Sequence, residues 1–281
     1  MEILWVVIRF LLGLSIGSFL NVVAFRYEEE SGFLNVKKLG GRSHCRVCLK
    51  PLSWYELIPL FSFLFQKAKC RSCLTKLSWQ YPLLELVTAL DLVFLPYLLS
   101  GTSLGIWLLA SFILIAVSAI DVRLRIIPDE ANLLIFILGL VQLLVSYKTS
   151  THTSFFSFYG YPFGLTDPVW LNQLVGFLVG LGVFGLIILL TRGRAMGMGD
   201  LKLAAAAGLL MGWPDILIAI MVAFIAGGLY SLPLILARKK GLKDMVPFGP
   251  FIVFGIAVVV FFGEPLMAGY FNFFEWLLTK V

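Results

Sequence analysis

GMGDLKLAAAAGLLMG, residues 197–212, sets one carboxylate, Asp200, between two closely spaced glycines and an alanine/leucine run. An acid at the mouth of an apolar helix is ordinary in water and costly in a bilayer, so the surroundings of this stretch decide the fold. The 281-residue chain is 60% hydrophobic and 14% charged, where a water-soluble domain carries about 25% charged residues. Apolar runs recur at 3–25, 81–99, 104–120, 131–147, 169–191, 201–213, 216–237 and 247–263. Most match the roughly 17–25 residues a helix needs to cross the hydrocarbon core. The pattern predicts an all-α polytopic membrane protein with about eight transmembrane helices. The run at 201–213 is short; it starts before Asp200 or spans only part of the bilayer. Gly-Trp-Pro-Asp at 212–215 reads as a tight turn into the next helix. The opening MEILWVVIRF lacks the basic leader of a signal peptide and reads as a retained first span.

Lysine and arginine alternate between the runs. Residues 26–80 hold ten, 100–103 none, 121–130 Arg123 and Arg125, 148–168 only Lys148, 192–202 three, 212–215 none, and 238–246 four. The positive-inside rule places the 26–80 segment in the cytoplasm and both termini outside. The division expected is a first transmembrane helix over 1–26, a cytoplasmic module over 27–80 and a transmembrane core over 81–281.

The module carries Cys45-x2-Cys48 and Cys70-x2-Cys73, the only cysteines of the chain. Two CxxC pairs separated by a fold-back suit a tetrahedral thiolate zinc site. Two disulfides or a redox pair are the alternatives. A cytoplasmic loop argues against the first, and four cysteines without a fifth against the second. Four thiolates leave no open coordination position, so the expected zinc is structural, supplying folding energy to a segment too small for its own core. Leu57–Phe65 is too short to span, and packs in the module or on the membrane face.

Four carboxylates lie at or within the apolar runs: Glu85, Asp91, Asp121 and Asp200. Asp121 ends the third run and Asp200 opens the sixth, which places both at the cytoplasmic end of their helices. Two carboxylates at one depth can share a proton while one acts as base on a water. Asp121 is equally readable as an interfacial residue paired with Arg123 or Arg125, and Asp129, after Pro128, as a helix N-cap. Glu85 and Asp91 read as polar pairs inside the bundle. Gly197 and Gly199 either let a substrate backbone approach or allow close helix packing with Ala204–Ala207 and Gly208. Lys202 reads as a side chain snorkelling to lipid phosphates.

Six ordered blocks then carry a resemblance: GSFLNVVAFR (17–26), the two CxxC pairs, YPLLELVTA (81–89), DVRLRIIPD (121–129), GMGDLKLAAAAGLLMG (197–212) and PFGPFIVFG (247–255). The chain resembles the type IV prepilin peptidases, membrane aspartyl proteases with a GxGD motif. The resemblance implies that Asp121 and Asp200 are the catalytic pair, with Gly197, Gly199 and Lys202 supporting the motif. It implies cleavage of leader peptides from prepilins or pseudopilins at the cytoplasmic face of the bacterial inner membrane. It further implies methylation of the new N-terminus with S-adenosylmethionine, with Glu85 serving that activity or the fold. The partners expected are these substrates and the lipid bilayer, with no nucleic acid. Two departures stand out: CRVC lacks the proline common after the first cysteine, and the 148–168 segment is longer than expected. A proton- or ion-coupled transporter and a non-enzymatic assembly factor are the rival readings of the same acids and cysteines.

Overall fold

The computed structural model describes residues 2–29, 32–33, 40–149, 155, 169–236 and 246–279. Most of the long outer segment, and the basic residues Arg238, Lys239, Lys240 and Lys243, lie outside the described residues. Among the described residues, eight long helices follow in order: α1 (Glu2–Arg26), α2 (Gln80–Leu98), α3 (Gly101–Leu124), α4 (Asp129–Thr149), α5 (Val169–Thr191), α6 (Met198–Met211), α7 (Asp215–Leu236) and α8 (Gly249–Thr279). Seven of them are long and apolar enough to cross a membrane. The exception is α6, whose 14 residues reach about 21 Å at 1.5 Å per residue, short of a core about 30 Å thick. It does begin before Asp200, so its shortness has a local cause: the chain turns at Gly212, at φ +83°, and leads through Trp213 and Pro214 into α7.

The chain divides into two compact units, Met1–Ile120 and Asp121–Val281, with the boundary inside α3. In the first unit α1 packs on α2. Gly13 and Gly17, one turn apart, make this approach close. A Cβ on Gly17 would stand 2.6 Å from Glu85 Cα, and one on Gly13 2.5 Å from Ala89 Cα. Small residues draw membrane helices together this way because packing, rather than escape from water, drives their association. Between α1 and α2 lies the cysteine segment. Phe61–Phe65 forms a short helix within it. Phe63 is buried, with its ring 5.1 Å from that of Trp79, while Leu64 and Phe65 stay exposed. One ring of the segment thus packs against Trp79, while two apolar side chains remain exposed.

In the second unit α6 is the central helix, packed on α5 and α4. Every residue from Leu203 to Met211 is buried. Burial on all sides accounts for its Ala/Leu/Gly composition, since no face needs polar groups. Gly176 and Gly180 of α5 meet Gly208 and Ala204 of α6, and a Cβ on any of the three glycines would overlap the facing backbone. α7 and α8 pack on each other. Rings of Phe184 (α5), Phe224 (α7) and Phe248 cluster with centroids 5.1–6.0 Å apart. Phe248 immediately precedes α8, so this cluster fixes where that helix begins.

Candidate active site and metal centre

Asp121 lies three residues before the end of α3 and is 4% exposed. Its Oδ2 accepts a hydrogen bond of 2.9 Å from the backbone N–H of Gly249, 128 residues away. Gly249 is the first residue of α8, so this N–H has no partner within its own helix, and the positive end of the helix dipole faces the carboxylate. A Cβ on Gly249 would stand 2.7 Å from the same oxygen. Glycine is thus the residue that lets the amide come this near. The sequence offers Arg123 and Arg125 as neighbours for Asp121; the structure gives it the N-terminus of α8.

Asp200 occupies the third position of α6, with its Oδ2 3.2 Å from the backbone N–H of Gly197. A carboxylate here reaches back to the residue before the helix and satisfies one of its free amides. Both acids are therefore held by a glycine N–H at a helix N-terminus, and they lie close enough for their charges to interact. Electrostatically this is a site where carboxylates sit beside positive helix ends, and where two negative charges oppose each other. A proton shared between the two relieves that repulsion.

The residues around Asp200 sort differently from their sequence reading. Gly199 abuts Ile127, in the link from α3 to α4, and a Cβ there would lie 3.1 Å from the Ile127 Cβ. Gly199 is thus a packing glycine joining two stretches that each bear an acid. Gly197 has only atoms of its own turn within 4 Å of such a Cβ, Asp200 Oδ2 at 3.6 Å and Gly199 N at 3.9 Å. Lys202 has a partner within the protein: its Nζ lies 2.8 Å from both carboxylate oxygens of Asp129. Asp129 is not the N-cap of α4 but its first helical residue, since Pro128 takes the flanking position and its carbonyl accepts from the Asn132 N–H. Its carboxylate is consequently free to join α4 to α6 across 73 residues of sequence. In the first unit, Asp91 Oδ2 accepts from the Ser111 hydroxyl at 2.7 Å. Glu85 accepts from the Leu60 N–H at 2.8 Å and from Ser18.

The four cysteines converge. Their sulfurs lie within 4.8 Å of one another, and Cys45 Sγ and Cys73 Sγ are 3.7 Å apart. Tetrahedral zinc–thiolate bonds of about 2.3 Å require sulfurs roughly 3.8 Å apart, so the donor set fits such an ion. All four are free thiols. The local fold repeats: Cys45 N–H donates to Lys50 C=O and Cys70 N–H to Thr75 C=O, both at 2.9 Å. Leu49 and Leu74 hold the matching left-handed positions at φ +57° and +58°. CRVCLK and CRSCLT thus form two copies of one turn. In each, the turn aims amides or a hydroxyl at sulfur. The backbone amides of Cys48 and then Val47 lower the Cys45 thiol. The Thr75 hydroxyl, 3.3 Å from Cys73 Sγ, and then the Thr75 backbone lower Cys73 to about 6. Against the Lys50 backbone, desolvation and then the three neighbouring thiols push Cys48 up to about 11. Four negative sulfurs resist crowding into one site, and a divalent cation removes that resistance.

Sequence reasoning missed Thr75 and Gly249. Thr75 follows Cys73 by two residues, a common place for a hydroxyl partner to sulfur. Gly249 had none, because its role depends on an acid 128 residues earlier.

Two family models match the chain: the bacterial peptidase A24 N-terminal domain over residues 11–99, which includes all four cysteines, and the type IV leader peptidase family over residues 107–232, which includes Asp121 and Asp200. Among similar proteins, the prepilin leader peptidase/N-methyltransferase of Aeromonas salmonicida (strain A449) is 30% identical over 93% of this chain and 92% of its own. Those of Xanthomonas campestris pv. campestris and Bacillus subtilis (strain 168) are each 31% identical, over 93% and 94% of this chain and 93% and 96% of their own. No solved structure matches the chain. With both halves matched in order and relatives aligned over nearly its whole length, this multi-pass membrane protein belongs to the type IV leader peptidase family.

Proposed function

We propose that this chain is an aspartic endopeptidase that removes the leader peptide of type IV prepilins or pseudopilins, and that it also N-methylates the new N-terminus with S-adenosylmethionine. The observation that carries the first activity is the pair Asp121 and Asp200, each held by a glycine N–H at a helix N-terminus and each within reach of the other's charge. In the mechanism, the two share a proton. The ionised one takes a proton from water as it attacks the scissile carbonyl. The protonated one donates to the carbonyl oxygen; as the bond breaks, the acid that took the proton from water passes it to the departing nitrogen, while the first recovers a proton from the gem-diol, which restores the shared-proton pair. The amides of Gly249 and Gly197 orient the carboxylates. The prepilin's apolar helix lies in the bilayer and its basic leader in the cytoplasm. That orientation puts the four-cysteine loop and the active site on the cytoplasmic side of the bacterial inner membrane. Residues 27–80 then form the metal-binding module, and 81–281 the protease core.

Cys45, Cys48, Cys70 and Cys73 would hold one zinc ion, which when bound supplies a structural crosslink between the two turns. The methyl-transfer reading rests on the names of the relatives, all prepilin leader peptidase/N-methyltransferases. Leader removal is tested in membranes carrying a prepilin with wild-type protein, Asp121→Ala or Asp200→Ala. Loss of the shortened product in both variants supports the dyad. Normal processing by either removes it. A transporter, by contrast, would give ion-dependent flux in liposomes and no shortened product.

A further inference from the structure

The two cysteine turns, CRVCLK (45–50) and CRSCLT (70–75), each carry an arginine after the first cysteine and a leucine after the second. The arginines lie over rings: Arg46 over Phe25, 3.9 Å from its centroid, and Arg71 over Tyr55 at 5.0 Å. The leucines, Leu49 and Leu74, are each 69% exposed. Both also hold left-handed backbone, at φ +57° and +58°, which asparagine or glycine adopts at less cost than leucine. An exposed leucine on such backbone is unfavourable twice over in water, and both turns have one. Each directly follows a cysteine of the one cluster whose sulfurs lie within 4.8 Å of one another, so both leucines stand beside the same centre. Trp54, Phe65 and Trp79 are more exposed still. Between residues 40 and 79 the chain holds seven lysines and arginines and one acid, Glu56, whose carboxylate accepts from the Ser53 N–H at 2.9 Å. A tetrathiolate zinc centre adds two negative charges and leaves the segment net positive. Both ends of the segment run into apolar spans: α1 ends at Arg26, and Trp79 immediately precedes α2.

We propose that the cysteine module docks on the surface of the bilayer, with Leu49 and Leu74 inserted among the headgroups of anionic lipids and Lys50 and Lys76 against their phosphates. This docking is independent of the proteolytic reading. Its occupant follows from the chemistry. Exposed leucine, phenylalanine and tryptophan among basic side chains make the composition of an interfacial surface. Anionic lipid attracts each lysine or arginine brought near it. A partner protein would have to supply an apolar face ringed by the acids this segment lacks. The bilayer supplies both the apolar layer and the negative charge, and the segment is tethered to it at each end. Among headgroups, the exposure of the two leucines becomes favourable and offsets the cost of their left-handed backbone. The metal centre is thereby held at the level of the headgroups.

The test uses the full chain in nanodiscs of phosphatidylglycerol or of phosphatidylcholine, with an environment-sensitive fluorescent amino acid in place of Leu49, Leu74 or Trp54. Nanodiscs carry the same lipid on both leaflets, so the outcome does not depend on which side the module faces. In phosphatidylglycerol the probe is expected to emit at shorter wavelength and to be quenched by lipids brominated near the headgroup rather than by aqueous acrylamide. Lys50→Ser and Lys76→Ser are each expected to shift the docked-to-free ratio about fivefold toward free, the effect of one basic residue near an anionic surface. With the probe at position 54, Leu49→Asn combined with Leu74→Asn is expected to restore acrylamide quenching while zinc stays bound, since asparagine suits the left-handed backbone. Zinc loss from that variant would assign the leucines to the packing of the module itself and overturn the docking. Probes at 49 and 74 that acrylamide reaches and brominated lipid does not would overturn it. Probes shielded from both quenchers would overturn it too, since protein would then cover the leucines.

Discussion

At the scale of single residues, the two acids share one device. Each carboxylate accepts from a glycine amide at the start of a helix, Asp121 from Gly249 and Asp200 from Gly197. A hydrogen bond to a charged group is worth about 1.5–3 kcal/mol, more than a neutral one. Gly249→Ala is therefore expected to slow leader cleavage about ten- to a hundredfold, because its Cβ would stand 2.7 Å from the Asp121 carboxylate. Thermal unfolding of the same variant separates the two causes: activity should fall by more than the fraction unfolded. What was legible at this scale follows sequence distance. The alternation of apolar and basic segments sets Asp121 and Asp200 at the ends of their helices, and the structure brings their charges within range of each other. Gly249 could not be read in this way, and neither could the Asp129–Lys202 pair, since nothing in a sequence links an acid to a partner 73 or 128 residues away. Lys202 alone reads as a snorkelling side chain, and only the fold supplies its carboxylate partner, Asp129.

Among the elements, α6 and the cysteine module explain most. The apolar runs located all eight long helices, and the shortness of 201–213 was visible. Its cause, burial on every side with a turn at Gly212, was not. The close α5–α6 crossing predicts that Gly180→Ala and Gly208→Ala each lower stability by about 1–3 kcal/mol, because the added Cβ meets backbone, which has no rotamer to yield. Unfolding of detergent-solubilised protein measures this; a loss of less than about 0.5 kcal/mol in both would contradict the crossing. In the cysteine module, the spacing of the pairs was readable, whereas the repeated turn with Leu49 and Leu74 at positive φ was not, since leucine gives no sign of a left-handed backbone. Purified protein should hold one zinc ion per chain, and Cys45→Ser or Cys73→Ser should lose it. The sign of the pH dependence follows from ligation by thiolates: protons compete with the metal, so affinity falls as pH is lowered. Cys48, pushed up to about 11 against the Lys50 backbone by desolvation and its neighbouring thiols in the metal-free site, must give up its proton to be a ligand, so the loss should be progressive as pH falls. Zinc release measured with a chromogenic chelator between pH 8 and pH 5 gives the answer; affinity that rises on acidification would contradict thiolate ligation.

For the whole molecule, the proposed orientation puts the loop rich in basic residues on the cytoplasmic side. A membrane-impermeant thiol reagent, applied to intact cells after mild zinc chelation, should leave the four cysteines unlabelled and label them once the membrane is opened. Labelling in intact cells would reverse the orientation. The central claim is that Asp121 and Asp200 act as one unit. Residues that act together are strongly non-additive, since losing either removes the whole function. The most direct measurement is the rate of leader cleavage by purified protein in nanodiscs for wild type, Asp121→Asn, Asp200→Asn and the double variant. The account predicts a fall of about a hundred- to ten-thousandfold in each single variant and no further fall in the double. Substantial cleavage by either single variant, or losses that multiply in the double, would contradict it.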